Sequence, residues 1–356
     1  MRRTFRLVLL LSLAAATLAA QPRPSFTVGW SIYVGWNPYQ YMVKSGILRK
    51  WSDKYNVNIR VQRFDYAPSV EAFAAKNIDA CTMTNMEALD MPAAAGVDTT
   101  AIIVGDYSNG NDALLVRNGL TFQNLPGKQI MLVQKTVSEY LFERGMVLNG
   151  MQDQIRRVRL LNTSDSDIVT AFLSKPSNEA VVTWKPLVSQ IASNKGIATL
   201  FDSSKIPGEI LDLLVVRTEV LNRPGGAGAR FAKAVTAAWY EVMAQLKGGG
   251  ALAEKAIAGI AEASNDPVPS MKEQLSTTHL FDTPRAAVAF TTSPDLKARM
   301  DLVRNFCFTH ALLGQGTSSV DDVAILYPDG SVQGRKDRVR LRFESKYMQL
   351  AQENKL

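Results

Sequence analysis

Histidine and cysteine are nearly missing from this chain, with two of each in 356 residues. His279 and His310 fall late in the sequence, in a helical region far along the chain from every segment read below as a ligand loop. No HExxH, GxSxG, phosphate-loop or CxxC spacing occurs, so the common signatures of hydrolytic, nucleotide-dependent and thiol-redox chemistry are absent. Carboxylates are present, but no two stand at a spacing diagnostic of hydrolysis. An enzyme is therefore the weaker expectation, with no metal and no cofactor implied. Cys81 and Cys307 could pair in an oxidising compartment or remain two buried thiols, and the sequence leaves both open.

Charge of one sign is also scarce at the outset. MRRTFRLVLLLSLAAATLAA has Arg2, Arg3 and Arg6, an apolar stretch from Leu7 to Leu13, an Ala-rich end and no acid. That is the pattern of a secretory signal peptide cleaved near Ala19 or Ala20, too short for a membrane span. No cysteine stands near the cleavage region, so a soluble periplasmic protein is expected rather than a lipid-anchored one. The formal charge is +7; removing three Arg from 40 basic residues leaves 37 against 33 acidic ones. Much of this small excess sits in GRKDRVRLRFESK. A solvated face accounts for it, and nucleic acid is not an expected partner.

What remains alternates strand and helix. SFTVGW reads as a strand and YQYMVKSGILRKWSDKY as a helix, with Met42, Ile47, Leu48 and Trp51 on one face. VNIRVQRF, IDACTM and TTAIIVGDY read as further strands, separated by the helices SVEAFAAKN and NMEALDMPAAAG. The pattern restarts with GKQIMLVQ, IRRVRLLN, EAVVTW and ATLFDSS as strands, and SEYLFERGMVLNG, SDSDIVTAFLSK and KPLVSQIASN as helices. Such alternation predicts mainly parallel sheets covered by helices.

Two similar apolar runs, NDALLVRNG and ILDLLVVRTE, frame the second unit and read as strands carrying the chain out and back. The expected fold is therefore α/β: two lobes joined by two hinge strands, with a helical C-terminal region. The first lobe takes residues 25–112 and 215–356 and the second takes 113–214. AILYPDGSVQG carries a hairpin signal. A cleft between two such lobes, at strand ends, is a default ligand site.

The order of segments resembles the periplasmic substrate-binding proteins of ABC importers, in the branch that takes sulfonates, taurine, nitrate and thiamine precursors. GWNPYQYMVKSGIL, EAFAAKNIDACTMT, AGVDTTAIIVGDY, LLVRNGLTFQNLPGKQIMLVQKTVSEYLFERGMVLNG and DIVTAFLSKPSNEAVVTWKPLVSQI carry it. A narrower likeness is to the subgroup encoded with urea carboxylase, carried by WSIYVGWNPYQY, CTMTNMEALDMPAAAGVD, VGDYSNGND and the C-terminal VAILYPDGSVQGRKDRVRLRFESKYMQLAQENKL. The resemblance implies a cargo of guanidine first and urea second. Its implied partners are a membrane permease and an ATPase, with the binding protein itself a monomer. Another small solute such as a sulfonate, nitrate or thiamine precursor is the alternative, and an enzyme on the same fold is a second. The branch that makes a thiamine precursor uses a His and a Cys-rich motif, and this chain has no Cys cluster to match it.

The loops expected at the cleft agree with a cation. GWSIYVGWNPYQY holds two of the five Trp and three of the ten Tyr without a single charge. Basic side chains are almost absent from the cleft loops, Lys135 and Lys185 excepted. The residues read as ligand-binding are Trp30, Ser31, Tyr33, Trp36, Asn85, Glu87, Asp106, Asp112, Glu139 and Trp184. Rings attract a cation through their faces and carboxylates accept its N–H donors. Asp106, beside Tyr107, is the first choice of acid. Asp112 and Asp212, on the hinge strands, fit a buried polar bond or an exposed edge as well as a ligand contact. Glu87 and Glu139 also fit as first-turn helix acids, favourable whatever they touch.

Overall fold

The computed structural model describes residues 23–356. The signal peptide expected over residues 1–20 lies outside the described residues. Among the described residues, no helix is long and apolar enough to cross a membrane.

The first lobe opens with β1 (Ser25–Trp30), whose Phe26, Val28 and Trp30 are buried. Two helices follow, α1 (Asn37–Lys44) and α2 (Ile47–Lys54). The sequence read them as one. They are broken at Ser45–Gly46, where Gly46 adopts φ +79°, a conformation that costs a glycine little. Met42, Ile47 and Leu48 are buried as expected, while Trp51 is only half-buried and donates its indole N–H to Glu241.

β2 (Asn58–Arg63), α3 (Tyr66–Ala74), β3 (Ala80–Thr84), the short α4 (Asn85–Ala88) and β4 (Thr99–Ser108) complete this unit. The chain then crosses to the second lobe. There β5 (Asp112–Arg117), β6 (Gln129–Leu132), β7 (Arg159–Asn162), β8 (Ala180–Trp184) and β9 (Ile197–Asp202) form a five-stranded sheet in the order β7-β6-β8-β5-β9. Its helices are α5 (Val137–Leu148), α6 (Ile168–Ser174) and α7 (Leu187–Ala192). Strand β10 (Leu211–Arg217) returns to the larger sheet, where it lies antiparallel between β3 and β4.

The larger sheet has nine strands and is extended on the far side of β4 by strands from the C-terminal region. One of these, Ala324–Leu326, forms the expected hairpin with Val332–Gln333 across the Pro-Asp-Gly turn. The rest of the C-terminal region is mainly helical, including the 21-residue helix Ala227–Lys247. The α/β expectation is met: two sheets, each flanked by helices, with two crossovers between them.

One detail differs from the sequence reading. ALLVR and LLVVR do not travel as a pair, because the first is β5 of the smaller sheet and the second is β10 of the larger. Each is the first strand after a crossover. Both are buried along nearly their whole length, which is why each reads as an unbroken apolar run. Cys81 and Cys307 are free, buried thiols, and burial pushes the Cys81 thiol up to about 12.

Candidate ligand-binding site

The strand register builds the site. Asp212 of β10 sits opposite Asp106 of β4 on one side and Thr84 of β3 on the other. Residues in register on neighbouring strands project to the same face, so two carboxylates and a hydroxyl form a row. In the smaller sheet, Asp112 of β5 and Trp184 of β8 are likewise opposite each other. Both rows lie where the chain passes between the lobes.

Between them is a small cavity of about 10 Å³, about the room that one water needs, lined by Tyr33, Trp36, Tyr66, Thr84, Asp112, Val137, Trp184, Ile210 and Asp212. Its rings form a continuous wall. Tyr33 and Trp36 have centroids 5.1 Å apart, Trp36 and Tyr66 are also 5.1 Å apart, and Trp184 meets Tyr66 edge-on at 5.8 Å. Three of these rings belong to the first lobe and Trp184 to the second, which it ties to the first by donating its indole N–H to the Ile32 carbonyl at 3.3 Å. No lining residue is basic.

The electrostatics are unusual for an interior. Asp106, Asp112 and Asp212 are 0, 2 and 2% exposed. Asp112 accepts from the Ser108 hydroxyl at 2.5 Å. Asp106 and Asp212 lie within hydrogen-bonding reach of each other, and no other group donates to their oxygens, while the Tyr33 hydroxyl and Trp36 indole N–H are buried and unpartnered beside them. Burial pushes Asp106 and Asp112 up to about 7, and pushes Asp212 well above the usual carboxylate range, where the neighbouring charge of Asp106 adds to the effect. Burial, then Asp212, Asp112 and Asp106 in turn, also raise the Tyr33 phenol. Buried acids ordinarily find a cationic partner. Here Asp112 meets the Ser108 hydroxyl, and Asp106 and Asp212 meet each other.

Solved structures with the same architecture are numerous. The alkanesulfonate-binding protein SsuA from Xanthomonas axonopodis pv. citri, bound to MOPS, is 17% identical. It matches 83% of this chain and 96% of its own length with a TM-score of 0.67. The aliphatic sulphonate-binding SsuA from Escherichia coli is also 17% identical, over 82% of this chain and 94% of its own, with a TM-score of 0.63. The nitrate-binding protein NrtA from Synechocystis PCC 6803 is 11% identical, over 92% of this chain and 98% of its own, with a TM-score of 0.54. The fold is that of the periplasmic binding proteins. No family model matches the chain, and no curated protein matches it in sequence.

Within this periplasmic-binding-protein fold, Tyr33, Trp36, Asp112 and Trp184 line the cavity. Asp106 stands one strand behind Asp212 and packs so closely on Gly35 that a Cβ there would overlap its carboxylate. Five other residues read as ligand-binding lie elsewhere. Trp30 ends β1 inside the core and, like Ser31, contributes no atom to the cavity wall. Asn85 donates to the Glu209 carbonyl and accepts from the Leu211 amide, clipping the start of β10 in place. Glu87 accepts from the Tyr66 hydroxyl, the Thr84 hydroxyl and the Val137 amide, which occupy it behind the wall. Glu139 lies outside the cavity and accepts the Lys135 amide. Both glutamates follow their first-turn alternative.

Sequence reasoning passed over Tyr66, Val137 and Ile210, and left Asp212 and Thr84 out of the ligand set. Asp212 did leave a signal: it is an acid inside the otherwise apolar run ILDLLVV. Tyr66 left none: it opens α3 just after a polar loop, and only folding brings its ring to 5.1 Å from that of Trp36.

Proposed function

We propose that the protein is the solute-binding component of an ABC importer and that its solute is a small planar nitrogen-rich molecule, guanidinium first and urea second. The observation that carries this reading is the cavity wall itself: Asp112 and Asp212 with four aromatic rings and no basic side chain. Guanidinium is flat, stays charged throughout the physiological pH range and directs its N–H donors in one plane. With the lobes parted enough to admit it, it would stack against an indole and give paired hydrogen bonds to the carboxylates of Asp112 and Asp212. A sulfonate or nitrate, the solutes named for the structural neighbours, would meet buried negative charge instead. Urea has the same shape and fewer donors, and lacks the charge.

In this reading the solute enters from the periplasm, binds groups of both lobes and favours their closed arrangement. The closed form then docks on a membrane permease driven by an ATPase. Binding and release without chemical change fit a site that has acids but no nucleophile–base pair.

Calorimetric titration of the mature protein with guanidinium, urea, taurine and nitrate separates these readings. Saturable binding is expected for guanidinium, weaker binding for urea and none for the two anions. Binding of taurine or nitrate without guanidinium would overturn the cation reading. Turnover of any of these compounds would restore an enzyme.

A further inference from the structure

A second cluster lies outside the cavity, on α5. Glu139 stands in the first turn of this helix and Glu143 one turn later, so both share a face. His310, at the end of the helix Pro294–Thr309, meets them from the C-terminal region. One ligand atom from each of the three residues lies within 4.8 Å of the other two.

The hydrogen bonds of His310 define what this cluster needs. Its Nδ1 is 2.8 Å from the Phe306 carbonyl oxygen, which can only accept, so Nδ1 carries a proton. Its Nε2 is 2.7 Å from Glu143 Oε1, also an acceptor. A neutral imidazole would therefore point a lone pair at a carboxylate. At this separation only a proton fits between the two atoms, so the metal-free pair is a hydrogen bond from His310 to Glu143, and a metal ion would replace that proton with a small parting of the two side chains. A proton would account for the pair alone. Glu139, whose Oε2 accepts the Lys135 amide, adds a third residue with a ligand atom within 4.8 Å of the other two.

An imidazole whose other N–H is anchored on a backbone carbonyl, together with two carboxylates, is a donor set suited to a divalent transition ion. The Phe306 ring, stacked on the imidazole at 4.1 Å, fixes its orientation. His310 and Glu143 remain partly open to solvent, giving an ion a path in.

We propose that Glu139, Glu143 and His310 form a divalent-metal site of the Zn²⁺ type that spans the two lobes. Helix α5 belongs to the second lobe, and His310 follows a helix packed with the first. An ion held by all three would tie the lobes across a point separate from the cavity and favour the closed arrangement. The site does not depend on what the cavity binds.

The test is titration of chelator-treated full-length mature protein with Zn²⁺ alone. One saturable equivalent is expected, with affinity reduced about tenfold or more in His310→Ala and in Glu143→Gln. His279→Ala, which alters the other histidine, should bind as the wild type does. Should those two variants fail to fold, Glu139→Gln leaves the His310–Glu143 pair intact and should still weaken binding. In the wild type, Zn²⁺ should also shift the ring ¹⁵N signals of His310. Absence of saturable binding, wild-type affinity in Glu139→Gln or His310→Ala, or unmoved His310 signals would each overturn the proposal.

Discussion

Asp212→Asn is expected to weaken guanidinium binding by about two orders of magnitude or more, while urea affinity changes by less than about tenfold. Removing one partner of a buried, hydrogen-bonded charge pair typically costs about 2–5 kcal/mol, roughly 30-fold to several thousandfold in affinity. Asp212 lines the cavity, and no group other than Asp106 lies within donating reach of its oxygens. In a guanidinium complex it would be such a partner. Urea has no charge to lose, and an amide can still accept one of its N–H groups. The same substitution should raise the melting temperature of the solute-free protein. Asp212 stands directly opposite Asp106 in the ladder, and at pH 8, where the pair loses its protons, an Asn side chain would replace repulsion with a donated hydrogen bond. Higher stability with lost cation affinity is the combination that a structural role alone would not give. Calorimetry and thermal melting on one preparation read both, and equal losses for guanidinium and urea would remove Asp212 as the counter-ion.

Guanidinium affinity should rise with pH between about 5.5 and 8. The solute keeps its charge across that range, so the titrating partner is the protein. Asp106 and Asp112 are pushed up to about 7 and Asp212 is raised as well. At pH 6 the empty site is therefore largely protonated, and a cation must displace protons to bind. Each proton released gives about tenfold in affinity per pH unit, levelling off above the pKa of the group concerned.

The sign for stability is the reverse. These folded-state values lie above the unfolded ones, so between about pH 4 and 7 the folded chain holds protons that the unfolded chain has lost. Solute-free stability should fall as pH rises through this window, and saturating guanidinium at millimolar concentration should offset the fall. Titrations in buffers of different ionisation enthalpy count the protons. An affinity that stays flat from pH 5.5 to 8 would show that these carboxylates do not meet the cation.

The alternation of strands and helices was legible because each element carries its own period, and the Pro-Asp-Gly hairpin because a turn is local. The break between α1 and α2 was less so: Met42, Ile47 and Leu48 keep one face through Gly46, and the left-handed glycine interrupts the helix without disturbing the pattern. Tyr33, Trp36, Asp112 and Trp184 could be named because the first two stand in the loop that follows β1 and the others begin and end apolar strands, where loops gather. The Asp106–Asp212 pair could not, since it depends on the register of two strands more than a hundred residues apart. Glu87 and Glu139 show the opposite problem. The sequence places both in first helical turns, and only the packed structure reveals which neighbour each carboxylate answers.

The bond from the Val137 amide to Glu87 gives the protein a built-in reporter of its own motion. Val137 is the first residue of α5, where an amide has no partner within its own helix. Its partner is a carboxylate on the other lobe. Opening the cleft would uncap the helix, and closing it would restore the cap. Deuterium uptake at Val137 should therefore slow when solute is bound, more than at amides in the middle of α5. A rate indifferent to solute would mean that this end of α5 stays docked throughout the cycle.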